Sequence, residues 1–327
     1  AASSASNVDK RRAYGPLACS AGRTYYAALV IPGQTLRELL ASGQRMFSFE
    51  IFPSKSGAGD PAFWQTIREL EPLNPAFVSV TYGAGGSRQD LTLDTCRRIE
   101  HETGMSTVGH LTCVGSSEDD LRSVIRKYID AGVRTVLALR GDPIAGPNTP
   151  WVSHPNGFDY SIQLVELLKS LGDFTIGVAA FPEKHPESPS IEQDCRVLAE
   201  KQAAGAHYAI TQLFFRPDDY FTLVEKARDF GATMPIIPGI MPVTNVAQIQ
   251  RMTMMSGTVF PAETQARFDA VEGDDEAVRD LGVQIAFEMA TELLDGGAPG
   301  IHFYTMNKSA STRRLFARLV EAGYDTR

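Results

Sequence analysis

The stretch "TVGHLTCVGSSEDDLRSVIRKYIDAGVRTVLALRGD", residues 107–142, contains the pattern that decides the fold. Its two ends, 107–113 and 135–142, are short runs of β-branched and aliphatic residues and predict buried strands. Between them, "SEDDLRSVIRKYIDAG" has the apolar spacing of an amphipathic helix, begins with Ser and acidic residues and ends on Gly. Such a strand–helix–strand unit places its two strands parallel in one sheet, joined by a right-handed crossover.

The same alternation runs through most of the chain. The predicted strands lie at residues 46–52, 76–82, 107–113, 135–142, 175–182, 207–215, 234–242 and 300–307. Eight strands separated by helices close naturally into a barrel, so the sequence predicts an α/β fold with a single (β/α)8 TIM barrel over residues 31–327. Residues 243–299, between the seventh and eighth strands, contain more than one helical pattern, which we interpret as an extra helical insertion.

A doubly wound open sheet is the alternative fold. That fold usually carries a G-x-G-x-x-G motif after its first strand, but the Gly-rich turn "YGAGGSR" has Arg88 where the third glycine should stand. The start of the chain, "AASSASNVDKRR", is small and polar and lacks the apolar segment of a secretion signal. We therefore predict that residues 1–30 are a tail, disordered in part.

The composition excludes several classes of partner. The chain has 31 basic and 39 acidic residues, a net charge of -8 and no basic block, so neither nucleic acid nor a membrane surface is an expected partner. The four cysteines are scattered without C-x-x-C spacing, which favours the reducing cytoplasm, and the six histidines show no metal-ligand spacing. The expected partners are small molecules or other protein chains, and no metal is expected.

Polar residues gather at the C-terminal ends of the predicted strands, where TIM barrels carry their active sites. The strand ends deliver Glu50, Thr81, Tyr82, His110, Thr112, Arg140, Asp142, His185, Gln212, Tyr304 and Asn307. For any one of these residues, a satisfied polar group at a strand end is the better explanation. The whole set together predicts a functional site.

Two carboxyl groups in this set have contrasting surroundings. Glu50 lies inside the apolar run "FSFEIF", where desolvation favours the protonated carboxyl group and suits a general acid. A glutamate at an edge, facing solvent, is the alternative. Asp142 follows Arg140 by two residues, and an adjacent guanidinium would keep the aspartate ionised. The sequence thus predicts one proton donor and one permanent negative charge.

Eight strand-end motifs, taken in order from about residue 46 to about residue 310, closely resemble those of the methylenetetrahydrofolate reductase family. They are "FSFEIFP", "FVSVTYGAGGS", "HLTC", "LRGD", "VAAFPEKHPES", "AGAHYAITQLFF", "IIPGIMPV" and "GIHFYTMN". The resemblance implies a cytoplasmic flavoenzyme of one-carbon metabolism and methionine biosynthesis, with homo-oligomeric assembly. Such an enzyme binds FAD noncovalently in a TIM barrel and reduces 5,10-methylenetetrahydrofolate to 5-methyltetrahydrofolate with NADH or NADPH, by ping-pong kinetics.

The resemblance also implies roles for individual residues. Glu50 would be the general acid that assists opening of the folate imidazolidine ring, and Asp142 would tune the flavin and favour the developing cation. FAD contacts are implied for Thr81, Tyr82, His110, Leu139, Arg140, Gly141, Asp142, Tyr160, Ala179, His185, Asp194 and Lys201. Contacts with folate or nicotinamide are implied for Glu50, Asp142, Gln212, Gln248 and Tyr304.

Three positions, Phe181, Glu200 and Met252, depart from a pattern common in the family. A carboxylate at Glu200, near the cofactor phosphates, would weaken flavin retention by electrostatic repulsion. Two alternative functions stay open. One is a flavin-free relative that passes hydride directly from NADH to the folate, and the other is a folate-binding barrel without turnover.

Overall fold

The computed structural model describes residues 34–54, 60–82, 89–146 and 149–325, together with two short antiparallel strands, Leu17–Ala18 and Thr24–Tyr25. The remainder of the predicted tail, residues 1–30, lies outside the described residues, as do residues 83–88 of the Gly-rich turn.

Nine parallel strands form the central sheet of the described part of the chain. They are β1 (Met46–Ile51), β2 (Phe77–Val80), β3 (Thr107–Thr112), β4 (Thr135–Leu139), β5 (Thr175–Ala180), β6 (Tyr208–Thr211), β7 (Ile236–Ile237), β8 (Gly239–Ile240) and β9 (Gly300–Tyr304). Strands β1 to β7 pair in sequence order, β9 pairs with β1, and β8 pairs with β9. The ring is therefore a TIM barrel, as predicted, and the open sheet is excluded.

The predicted seventh strand, 234–242, is broken into β7 and β8 at Pro238. Proline has no backbone N–H and cannot complete a strand ladder. The Pro238 carbonyl nevertheless accepts a hydrogen bond from the His302 N–H at 2.9 Å, so the broken strand still joins β9 and completes the ring.

Most of the helices cover the outside of the barrel, whereas Leu36 and Leu39 of the first helix pack in the cluster inside it. In the described residues the helices are α1 (Leu36–Ser42), α2 (Pro61–Leu70), α3 (Gln89–Thr103), α4 (Glu118–Asp130), α5 (Ser161–Leu171), α6 (Ile191–Ala204), α7 (Pro217–Asp229), α8 (Val246–Ser256), α9 (Ala262–Asp269), α10 (Asp275–Asp295) and α11 (Ser309–Glu321). Three of them, α8 to α10, lie between β8 and β9; their interpretation as an insertion stays a prediction. None of the described helices has the length and apolar character needed to cross a bilayer.

Side chains alternate along each strand and so divide the core into two layers. In β1, Phe47, Phe49 and Ile51 belong to the cluster between strands and helices, whereas Met46 belongs to the cluster inside the barrel. Alternation places Glu50 on the same interior face as Met46. The alternative of a solvent-facing edge glutamate does not apply.

The sequence predicts that strand β4 runs to Asp142, but in the structure it ends at Leu139. Gly141 adopts a left-handed φ of 89°, which a β-strand does not accommodate. Arg140, Gly141 and Asp142 therefore lie in the loop that follows the strand, at the C-terminal end of the barrel.

Candidate active site

The C-terminal ends of the strands form the mouth of the barrel, and alternation turns one set of side chains towards its interior. These residues are Glu50, Thr81, His110, Thr112, Leu139, Ala179, Gln212 and Tyr304. Strand register places Tyr304 opposite Glu50 and Thr112 opposite Leu139. The structure thus brings these eight predicted residues together at the mouth.

The Glu50 carboxylate lies beside two buried imidazole rings. Its Oε2 is 3.7 Å from His110 Nε2 and 3.8 Å from His302 Nε2, and its side chain is 15% exposed. His302 is held in turn, because its Nδ1 lies 2.8 Å from Ser48 Oγ and its ring stacks on Phe77. Glu50 is therefore enclosed on the inner side and still reachable from the mouth.

His302 is a site residue that sequence reasoning missed. It lies two residues before Tyr304 in β9, so alternation alone places it on the same interior face. Its partners Ser48 and Ser79 are 254 and 223 residues away in the sequence. The spacing of histidines along the chain carries no information about such partners.

Burial lowers the pKa of His110 to about 4; the charge of Glu50 opposes this shift and His302 adds to it. The His110 Nε2 atom is buried and has no hydrogen-bond partner among the described residues. His110 is thus neutral near neutral pH, and Glu50 does not face a permanent cation from that side.

Folding stability is expected to depend on pH through His110. Its pKa is about 4 in the folded protein against 6.5 as the ordinary value, so the unfolded chain binds more protons between these values. Stability that is fully present above pH 6.5 is therefore lost as the pH falls towards 4, about 3 kcal/mol in all. His110→Gln should flatten the fall in unfolding free energy measured by urea between about pH 7 and pH 5. An unchanged slope would contradict the assignment.

A second cluster of charged side chains lies between the loops after β4 and β5. The Arg140 guanidinium donates two hydrogen bonds to the Glu187 carboxylate, at 2.6 and 2.8 Å. It also lies 4.6 Å from the centre of the Trp151 ring, a cation–π contact. The sequence predicts that the Arg140 guanidinium keeps its neighbour Asp142 ionised. In the structure this guanidinium is paired with Glu187, and the turn at Gly141 leaves Asp142 exposed in the loop.

Lys201 of α6 and His185 extend this cluster. Burial lowers the pKa of Lys201 to about 8, with Asp194 opposing the shift and Arg140 adding to it. Burial, followed by the charge of Arg140, also lowers the pKa of His185. The backbone N–H of His185 donates to the Asp194 carboxylate at 2.8 Å, which ties the loop after β5 to α6.

Other predicted residues lie apart from Glu50. Tyr82 packs in the outer hydrophobic cluster, and Tyr160, at the start of α5, is 66% exposed. Gln248 of α8 and Lys308 line a small pocket beside Tyr304. The Tyr304 hydroxyl donates to the Thr211 carbonyl at 2.5 Å.

Several buried polar atoms at the mouth have no partner among the described residues. They are the Oγ1 atoms of Thr81 and Thr112, His110 Nε2 and Trp151 Nε1. Buried polar atoms are costly unless they form hydrogen bonds. These four atoms lie at the end of the barrel that carries Glu50, where a ligand with hydrogen-bonding groups would give them partners.

Comparisons with known proteins match most of the chain. The family model for methylenetetrahydrofolate reductase matches residues 35–320. The chain is 38% identical over 276 residues to the 5,10-methylenetetrahydrofolate reductase of Escherichia coli (strain K12), across 84% of this chain and 90% of that protein. It is 34% identical over 297 residues to a probable methylenetetrahydrofolate reductase (NADH) of Oryza sativa subsp. japonica, across 88% of this chain and 50% of that protein.

Solved structures share the fold. A protein from Clostridium thermocellum, described as binding two copies of 5-methyl-5,6,7,8-tetrahydrofolic acid, has a TM-score of 0.61 and 13% identity, across 88% of this chain and 98% of that one. An oxaloacetate acetylhydrolase has a TM-score of 0.51 and 12% identity. At these identities the likeness concerns the fold alone.

Proposed function

Because this chain belongs to the methylenetetrahydrofolate reductase family, we propose that it reduces 5,10-methylenetetrahydrofolate to 5-methyltetrahydrofolate with NADH or NADPH as donor and noncovalent FAD as carrier. The family makes the chain an oxidoreductase that acts on methylenetetrahydrofolate. The observation that carries the proposal is the placement of Glu50, enclosed beside two imidazoles and open to the barrel mouth.

The residues at the mouth fit a flavin dinucleotide. Lys201, Arg140 and His185 bring positively charged or hydrogen-bonding groups to one side of the mouth, where phosphate oxygens would find partners. The unpartnered hydroxyls of Thr81 and Thr112 suit the polar edge of a ring system. When bound there, FAD would carry a hydride from the pyridine nucleotide to the folate.

Reduction of the methylene bridge needs a proton as well as a hydride. The proton adds to the ring nitrogen that leaves, the ring C–N bond breaks, and the resulting iminium carbon accepts the hydride. We assign the proton to Glu50, which lies on the interior face within reach of a substrate in the mouth. The neutral His110 and the buried His302 close the inner side of this carboxyl group and keep water from it.

Asp142, Tyr304, Gln248 and Lys308 would hold the substrate. Asp142, exposed on the loop after β4, would place a negative charge near the cation that forms on ring opening. Because the Tyr304 hydroxyl is bonded to Thr211, its ring is the part available to a flat ligand. Gln248 and Lys308, beside the first turns of α8 and α11, suit an anionic group of the folate or nucleotide.

The visible absorption spectrum of the purified protein tests the proposal. Flavin bands are expected that bleach with anaerobic NADH or NADPH and return when methylenetetrahydrofolate is added. A colourless protein that takes up no FAD, yet still oxidises NADH with the folate, would favour direct hydride transfer. Folate binding without any turnover would favour a binding barrel.

A pair of lysine variants tests the location of the flavin. Lys201→Met removes the positive charge from the cluster at the mouth, whereas Lys169→Met removes one from the exposed end of α5. Charge-assisted hydrogen bonds contribute about 1.5–3 kcal/mol, so Lys201→Met should weaken FAD binding by about 10- to 100-fold. Equal flavin retention in the two variants would contradict this location.

A further inference from the structure

Two consecutive residues other than glycine adopt the left-handed backbone conformation just after β9. Met306 has a φ of 52° and Asn307 a φ of 56°. Asparagine tolerates this region better than most residues, but methionine has no such advantage. Strain of this kind persists only where surrounding contacts hold it, and it concentrates at functional sites.

The turn directs the Asn307 side chain at the backbone of Phe52, the first residue beyond β1. Its Oδ1 accepts from the Phe52 N–H at 2.8 Å, and its Nδ2 donates to the Phe52 carbonyl at 2.8 Å. A side-chain amide has the same donor and acceptor as a peptide group, so this pair of bonds, the amide clamp, continues the pairing of β1 with β9 beyond the last strand residue.

Thr305 holds the preceding part of β1. Its Oγ1 donates to the Glu50 carbonyl at 2.6 Å, and its own N–H donates to the same carbonyl at 3.4 Å. The Asn307 N–H donates to Thr305 Oγ1 at 3.1 Å, and Thr66 of α2 donates to the Asn307 carbonyl at 3.3 Å. The end of β1 is therefore hydrogen-bonded to the segment after β9 at two points: at the Glu50 carbonyl and, two residues later, at the Phe52 backbone.

We propose that Asn307 is a positioning residue for Glu50: the amide clamp fixes the end of β1 and thereby the direction in which Glu50 presents its carboxyl group to the substrate. The proposal rests on the proposed role of Glu50 as proton donor. Proton transfer requires hydrogen-bond reach, and small displacements of a reacting group cost large factors in rate. The strained turn at Met306 and Asn307 is explained because it is the conformation that lets the amide reach Phe52.

The substitution Asn307→Gly separates the clamp from the strain. Glycine adopts the left-handed conformation freely, so the turn should keep its backbone conformation while the amide and its two hydrogen bonds are lost. The folate half-reaction should slow by about 10- to 100-fold, and reduction of bound flavin by NADH should keep its rate. In hydrogen exchange followed by mass spectrometry, the peptide spanning residues 48–54 should exchange faster.

Asn74→Gly is the matched control. Asn74 also has a left-handed φ, of 48°, but it precedes β2 at the opposite end of the barrel. This variant should leave both half-reactions and the exchange of residues 48–54 unchanged. Equal slowing of both half-reactions in Asn307→Gly, or unchanged exchange at 48–54, would overturn the proposal. If the unaltered protein reduces no folate, the proposed function is refuted. Hydrogen exchange at residues 48–54 still tests the clamp in that case.

Discussion

Replacing Glu50 by glutamine is expected to slow reduction of methylenetetrahydrofolate by about 10²- to 10⁴-fold, the usual contribution of a general acid. Glutamine has nearly the same shape and keeps a polar group beside His110 and His302, but it has no proton to donate. Reduction of bound flavin by NADH needs no proton from this side chain, so that half-reaction should keep its rate. Stopped-flow measurement of the two half-reactions separates the outcomes.

Glu100→Gln is the control for the loss of a partly buried carboxyl group elsewhere. Glu100, in α3, accepts hydrogen bonds from Thr107 at the N-terminal end of β3, and burial raises the pKa of its carboxyl group. Its substitution should leave both half-reactions unchanged. Equal slowing of both half-reactions in Glu50→Gln would mean that Glu50 acts on flavin binding or on the fold, and the assigned role would be wrong.

Replacing Gly282 by alanine is expected to destabilise the protein strongly. Gly282 lies in α10, and a Cβ built on it would sit 1.8 Å from the Val243 carbonyl oxygen and 2.8 Å from its carbonyl carbon. Alanine in a helix is normally about 1 kcal/mol more favourable than glycine. Here the added methyl group would meet the backbone of Val243, which cannot move aside by a side-chain rotation. We expect a net loss of about 3 kcal/mol, a fall in melting temperature of roughly 5 °C.

Thermal unfolding of Gly282→Ala beside Arg279→Ala checks this expectation. Arg279 lies in the same helix, is exposed and is replaced by the same residue, so its melting temperature should stay within about 2 °C of the parent protein. An unchanged melting temperature for Gly282→Ala would show that α10 does not pack against the segment after β8. Since that segment leads into α8, a displaced α10 should also weaken binding of ligands that reach Gln248.

The fold was largely predictable because barrel formation depends on repeated local patterns. Each β–α unit shows its own apolar spacing and capping residues, so the ring follows from eight similar segments. The ends of the strands were less predictable. Strand β4 stops at Leu139 because Gly141 turns left-handed, and Pro238 divides the seventh strand. Sequence patterns extend across both points.

The candidate site was likewise predictable for the residues of the strands and less so for the residues of the loops. The sequence placed Glu50, Thr81, His110 and Tyr304 at one end of the barrel, because the C-terminal ends of parallel strands meet there. Their common interior face follows from the strand register of the structure. Asp142 and Arg140 were recognised as charged groups, and the guanidinium was expected to keep Asp142 ionised. In the structure the Arg140 guanidinium forms its hydrogen bonds with Glu187, which lies 47 residues further along the chain.

By itself, the sequence determined the barrel and the end of it that carries the polar residues. Both depend on local periodicity and on the direction of parallel strands. Only the tertiary structure decided that His302 faces Glu50, that Arg140 pairs with Glu187, and that the Asn307 amide holds Phe52. These partners are distant in the chain. Which of them come within hydrogen-bond distance depends on how the folded barrel arranges its loops and strand ends.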